Sequence, residues 1–144
     1  MTETARSPWE AGLFRKLSDQ ECYGLVASAT VGQLAFVGST GQQLLPVNFQ
    51  FIDGIFYFQV SRDSVLAELA AGITDVAFSV GYREELLQKG WSVVVSGSTS
   101  SVDDESLVEE VRSVARLGPW APGDRSLVVS LTPRSISGRK VAKH

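Results

Sequence analysis

The chain is nearly without histidine and cysteine. Its one histidine, His144, is the last of 144 residues, and its one cysteine is Cys22. A Ser-His-Asp or Cys-His catalytic group therefore has no internal base, and no His/Cys set with metal-ligand spacing can be assembled. A single cysteine forms no internal disulfide, which fits a reducing, cytoplasmic setting. Cys22 falls in a helical pattern and reads as a small buried hydrophobe rather than a nucleophile. No apolar run approaches the roughly 20 residues of a membrane span. Nor is a signal peptide expected, because Met1-Thr2-Glu3-Thr4-Ala5-Arg6 leads into no apolar segment. Basic stripes are missing too: 13 Lys and Arg stand against 16 Asp and Glu, a net charge of −3. That argues against a nucleic-acid or anionic-membrane partner. There is no Walker loop and no Gly-x-Gly-x-x-Gly after a strand. The acidic groups Asp103-Asp104-Glu105 and Glu109-Glu110 occupy helical positions and read as solvated charges.

What is present is the material of one ordinary domain. The hydrophobic fraction is 44% and the charged fraction 20%, typical of a globular chain. At this length roughly 68–70% of the unfolded surface should be buried, so no staples are required. Residues 1–17 read as an N-terminal arm, 18–141 as a single domain and 142–144 as a tail.

Along the chain, Ser18-Asp19-Gln20-Glu21 is a capping box, and a helix should follow to about Ala29. Thr30 to Val37 alternates as a strand and turns at Gly38-Ser39-Thr40-Gly41. Gln43 to Ile52 is a second strand. Pro46 within it lacks an amide proton and marks an edge, a bulge or a pairing gap. Asp53-Gly54 is a hairpin turn into a third strand, Ile55 to Val60. A short helix spans Val65 to Ala71 and stops at Gly72. Thr74 to Tyr82 is a fourth strand, and Gly90 to about Val102 a fifth. A helix runs from the acids at 103–105 to about Leu117. Ser126 to Thr132 is the sixth strand, disturbed at Pro133, with 134–141 extended. Consecutive hairpins exclude parallel βαβ units, so the sheet is mainly antiparallel. Six strands with apolar character on both faces suggest a small barrel with helices at its ends and sides.

The most β-prone stretch is Gly90-Trp91-Ser92-Val93-Val94-Val95-Ser96-Gly97. Valine on both faces reads as a central strand covered on two sides. Trp91 is either a core aromatic or part of a site. Ser61-Arg62-Asp63-Ser64, just before a short helix, is the one place suited to an anion, with Ser61, Arg62 and Ser64 as donors. The competing reading is that Asp63 simply caps the helix.

Four blocks in order carry a family resemblance: the first helix with Thr30-Val31-Gly32-Gln33-Leu34-Ala35; Leu45-Pro46-Val47-Asn48-Phe49 with Asp53-Gly54; Gly90 to Gly97; and Pro119-Trp120-Ala121-Pro122 ending in Ile136-Ser137-Gly138-Arg139. Together they resemble the pyridoxamine 5′-phosphate oxidase-like, FMN-binding split-barrel family, in its small actinobacterial-type members. The resemblance implies a mainly β fold, a six-stranded antiparallel split β-barrel of Greek-key type, paired as a homodimer. It implies FMN at the dimer interface and hydride transfer to a small substrate, with no catalytic side chain needed. Pro46, Val47 and Asn48 match the strand along the isoalloxazine, and Ser61, Arg62 and Ser64 the phosphate segment. Trp91 and Ser92 match positions near the cofactor, partly from the partner subunit; Trp120 and Arg139 match the terminal motifs.

The chain departs from the family where a lysine usually pairs with the phosphate. Val65 stands at that position and Asp63 at the glycine before it, which removes a cation and adds an anion. Two alternatives to an FMN enzyme follow: a deazaflavin-dependent reductase of the same fold, or a cofactor-free ligand-binding split barrel. Haem lacks an internal histidine ligand here.

Overall fold

The computed structural model describes residues 14–114 and 126–141. The elements, in order, are β1 (Phe14–Lys16), α1 (Asp19–Val26), β2 (Val31–Gly38), β3 (Gly41–Asn48), β4 (Gln50–Ile52) and β5 (Ile55–Ser61). A 3-10 helix (Val65–Ala71) follows, then β6 (Val76–Glu84), β7 (Lys89–Ser101), α2 (Glu105–Val114) and β8 (Ser126–Val141). The six expected strands are all present. The second is divided at Phe49, and Phe14–Lys16 of the expected arm adds a short strand on the end of β8.

Local chemistry explains most boundaries. The capping box forms: Glu21 N donates to Ser18 Oγ at 3.1 Å, and Ser18 N donates to Glu21 Oε1 at 2.9 Å. Helix α1 stops at Val26, short of Ala29, because Ser28 N and Ala29 N bond to Leu25 O and Val26 O in tighter turns. The Asp53-Gly54 turn has φ of 50° and 84° at its two residues, the left-handed pair that matches hairpin twist. Val65–Ala71 is a 3-10 rather than an α-helix, and Gly72 ends it at φ 91°.

All strand pairs are antiparallel, in the order β3-β2-β6-β7-β8-β5-β4. The hydrogen-bonded sheet does not close: its edges are β3 and β4. Yet these edges are consecutive pieces of one chain segment. Phe49 donates to Thr30 O at 2.9 Å; one residue later the chain leaves β2 and pairs with β5. The result is a barrel joined through the backbone at Phe49 and split between β3 and β5, which approach each other without a ladder.

Strand β8 runs straight past Pro133 to Val141 instead of ending at Thr132. Gly97 pairs with Pro133 and Ser96 with Ser135, so Arg134 is the extra residue of a bulge. A Cβ on Gly97 would lie 2.1 Å from Thr132 O, so only glycine lets β7 and β8 come this close.

Inside, Phe49, Phe56, Phe58 and Phe78 form the aromatic centre, with Phe78 edge-on to the other three at 5.1–5.4 Å between centroids. Cys22 and Val26 seal one side from α1 and are fully buried. A smaller cluster of Tyr57, Val111 and Val128 lies under α2. Strand β7 is central, but the expected cover on both faces is absent within the chain. Val93 and Val95 are fully buried, whereas Val94 is 43% exposed.

Candidate functional site

The sequence-derived site residues fall into two groups at different places on the barrel. The first lies along the split. Pro46 is exposed, Val47 is buried in the core and Asn48 is half-buried. Alternation thus turns the Val47 side chain inward, leaving its backbone to act at the surface. Phe49 N points to β2, so the amides of residues an odd number of positions away point the other way, toward β5. Pro46 is one of these. Its missing N–H faces the gap, which is where a proline can sit in a sheet. The gap side of β3 therefore offers Pro46 C=O and the N–H and C=O of Asn48.

Opposite stands the end of β5. Continuing the β4–β5 register backward brings Asn48 level with Gln59 and Pro46 level with Ser61. The sequence-derived anion loop thus borders the split. Arg62 and Asp63 are exposed, and Ser61 and Ser64 half-buried. The helix cap is Ser64, not Asp63: Ser64 Oγ accepts from Leu66 N at 3.2 Å and donates to Ser61 O at 3.0 Å. Its hydroxyl proton is therefore committed. Ser61 Oγ accepts from Asp63 N at 3.2 Å and keeps its own proton for another acceptor.

The second group is Trp91, Ser92 and Arg139. They meet at a groove of ≈ 1220 Å³ between β6, β7 and β8, lined also by Gln33, Ser79 and Gly81. Ser92 pairs with Gly81 on one side and Arg139 on the other. Trp91 lies opposite Tyr82, packs against the main core and also lines the groove. The Arg139 guanidinium sits 5.3 Å above the Phe14 ring. Tyr82 Oη donates to Glu84 Oε1 at 2.6 Å; that bond pushes its phenol pKa up. Burial does the same to the Cys22 thiol, in keeping with an inert core cysteine. Trp120 lies outside the described residues.

The two groups are not brought together in one protomer. Ser61 pairs with Ser126 at one end of β8, and Ser92 with Arg139 near the other. Between them lies a path of roughly 40 Å along the strand at about 3.3 Å per residue. What links them is the outer face of the sheet. Pro46 pairs with Gln33, Gln33 with Ser79, Ser79 with Val94 and Val94 with Ser137. Gln33 and Ser79 escaped the sequence reading. Period-two parity with Pro46 and Val94 is the signal that finds them. A second concavity, ≈ 620 Å³, opens on the same face and is lined by Ala35, Leu44, Ala77 and Ser96. At its rim Arg134 binds Asp75 at 3.0 Å. No group of three or more potential metal ligands occurs among the described residues, and none of their buried side-chain polar atoms is left unbonded.

Comparison with known proteins agrees with this fold. The family model described as pyridoxamine 5′-phosphate oxidase matches residues 18–140. An uncharacterized Mycobacterium tuberculosis protein is 27% identical over 142 residues, covering 94% of this chain and 90% of its own. Among solved structures, a FAD-binding protein from Mesorhizobium loti superposes with a TM-score of 0.78 at 21% identity, over 90% of this chain and 99% of that one. The FAD-binding protein of Mycobacterium smegmatis gives 0.69 at 23% identity, over 89% and 98%. These likenesses establish the split-barrel fold.

Proposed function

The chain belongs to the pyridoxamine 5′-phosphate oxidase family, and on that premise we propose that it is a flavin-dependent oxidoreductase acting as a homodimer. The observation that carries the reading is the unpaired edge of β3. A flat heterocycle with alternating donors and acceptors along one side needs a matching row of fixed backbone groups. Pro46 C=O with Asn48 N–H and C=O supply such a row toward the split, and the missing amide of Pro46 keeps β5 from filling it. Ser61 and Arg62 border the same split and are placed to receive a phosphate on the ring's side chain. The solved likenesses described as FAD-binding support a flavin; the family resemblance favours FMN.

Flavin, when bound, supplies hydride transfer at its ring. The chain's own part is to bind, orient and keep out water. Within one protomer the width of β2 and β6 separates Trp91 and Ser92 on β7 from the edge of β3, three strand spacings or about 14 Å. A second copy resolves this if the outer faces meet. That face exposes Val31 (52%), Leu44 (66%) and Val94 (43%). Its floor of small residues includes Ala35, Ala77, Ser79 and Ser96, and charges such as Arg134, Asp75, Arg83 and Arg139 are kept to its rim. An apolar centre with a polar rim is interface anatomy, and self-pairing of one patch is the usual dimer symmetry. In that pairing we take the groove of one copy to complete the split of the other.

The test is titration of the purified dimer with FMN and FAD, followed by fluorescence quenching. Saturable binding with one flavin per protomer is the expected result. Absence of binding by both refutes the reading. A second reading is favoured by Asp63 and Val65 in the loop and by the committed Ser64 hydroxyl: a split barrel that binds a ligand without a phosphate monoester and has no redox role. Titration with a deazaflavin coenzyme then divides the deazaflavin alternative from the ligand-binding one.

A further inference from the structure

The split between β3 and β5 is fastened at two ends, and only one fastening is covalent. At Phe49 the chain itself joins the two sides. At the other end stands the 3-10 helix, which begins four residues after Ser61 and leads away from β5. From the middle of this helix Glu68 reaches the turn between β2 and β3. Ser39 N donates to Glu68 Oε1 at 2.8 Å, and Ser39 Oγ donates to Glu68 Oε2 at 2.8 Å. Both carboxylate oxygens are used on one residue, a two-point, charge-assisted contact. Gly38 leaves room for it: a Cβ there would lie 2.9 Å from Glu68 Oε1.

The helix that carries Glu68 is itself held firmly. Buried Thr99 on β7 donates from Oγ1 to Leu69 O at 2.8 Å and accepts there from Ile73 N at 3.0 Å. Leu69 is fully buried. The helix is thus a strut pinned to the sheet by Thr99, with Ser61–Ser64 at its leading end and the β2–β3 turn tied to its side.

We propose that Glu68 is a positioning residue: with Ser39 it forms a latch that sets the width of the split and so holds the Ser61–Ser64 loop against Pro46 and Asn48. No ladder bonds join β3 to β5 among the described residues, so the latch bears directly on their separation. This deepens the flavin reading and, for its ligand arm, rests on it. A ligand that touches β3 with its ring and the loop with its phosphate needs both ends at one separation, and a small misplacement costs affinity steeply.

The test has two arms, in the full chain. In the first, spin labels on Thr40→Cys and Ala71→Cys, both exposed and neither in the outer face assigned to the dimer, report the separation of the β2–β3 turn from the helix. The labelled chain is diluted into unlabelled chain so that only distances within one copy are read. Native Cys22 is fully buried and stays unlabelled. One narrow distance is expected with Glu68 present. In Glu68→Ala, and separately in Gly38→Ala, the distribution should broaden by several ångströms (about one strand spacing), with Glu68→Gln intermediate. In the second arm FMN is titrated well below the melting temperature. Glu68→Ala should bind about tenfold or more weakly, and Glu68→Gln should recover part of that. An unchanged distance distribution in Glu68→Ala overturns the latch. So does broadening without loss of affinity in a protein that binds FMN, because the contact is then only a stabilising one. If the unsubstituted protein binds no flavin, the flavin reading fails, and the distance arm alone decides the latch.

Discussion

Val94 gives the sharpest test of the dimer. It lies in the middle of β7, the fourth strand of seven in the sheet order, and points outward between Ser79 and Ser137. Its 43% exposure is residual apolar surface. Full burial of a valine side chain is worth about 1.5–3 kcal/mol, so covering the remaining 43% is worth roughly 0.6–1.3 kcal/mol per copy. Two-fold symmetry doubles this to about 1–2.5 kcal/mol per dimer. Val94→Lys removes that gain and places two like charges in the apolar centre, where an unpaired ammonium costs several kcal/mol to desolvate. At about 1.4 kcal/mol per tenfold, the dimer dissociation constant should rise at least about a thousandfold. Val94→Ala removes only apolar surface and should raise it roughly three- to tenfold. Because Val94 faces out, the monomer core is untouched and the circular dichroism spectrum should not change. Sedimentation velocity over a concentration series reads the result. If Val94→Lys dimerises as tightly as the parent chain, the outer face is not the interface.

Other consequences follow from single contacts. Arg62→Ala should weaken FMN binding about tenfold, the order of one charge-assisted hydrogen bond to phosphate; unchanged affinity in a fluorescence titration removes Arg62 from the site. Phe78→Ala should destabilise the fold by about 3–5 kcal/mol, because Phe78 is fully buried and touches Phe49, Phe56 and Phe58; urea unfolding with a loss under about 1 kcal/mol would contradict that packing. Glu21 is held below the usual carboxylate pKa, first by the Ser18 backbone amide and then by Arg15. A lowered folded-state value contributes stability above the unfolded pKa that is lost as pH falls through the folded one. Melting curves should therefore lose a small acid-dependent increment in Glu21→Gln, and identical pH profiles for the two proteins would refute the assignment.

The fold was legible because its signals are local. Glycine-bounded alternation placed six strands, and Ser18 to Glu21 placed the first cap. Pro46 marked an edge, a bulge or a pairing gap, and it lies on the edge strand β3. Three features were less legible, each for a physical reason. The break at Phe49 is one hydrogen bond changing partners, and Phe49 keeps the inward parity of Val47, so the alternation shows no interruption. The continuation of β8 past Pro133 depends on a bulge that Gly97, on another strand, makes room for. The cap at Ser64 rather than Asp63 turns on where the backbone enters the helix: Ser64 is the extended residue just before Val65, at φ −97° and ψ 164°.

The valines of β7 show where the sequence pattern reaches past one chain. Val94 reads as buried from its neighbours, and the protomer leaves it 43% exposed. Exposed apolar side chains recur at Val31 and Leu44, on the same face and on neighbouring strands. Scattered exposed apolar residues need no explanation, but four on one face, Val37 (67% exposed) being the fourth, with small residues between them form a patch. The site residues divide in the same way, with Ser61 and Arg62 at one end of β8 and Ser92 and Arg139 at the other. Two incomplete features, a strand without its outer cover and a site without its second half, are completed by one event if the outer faces pair. Val94→Lys should then abolish FMN binding together with dimerisation, although Val94 lies on neither the loop nor the β3 edge. A monomeric Val94→Lys protein that binds FMN with parental affinity would separate the two and place the whole site within one chain.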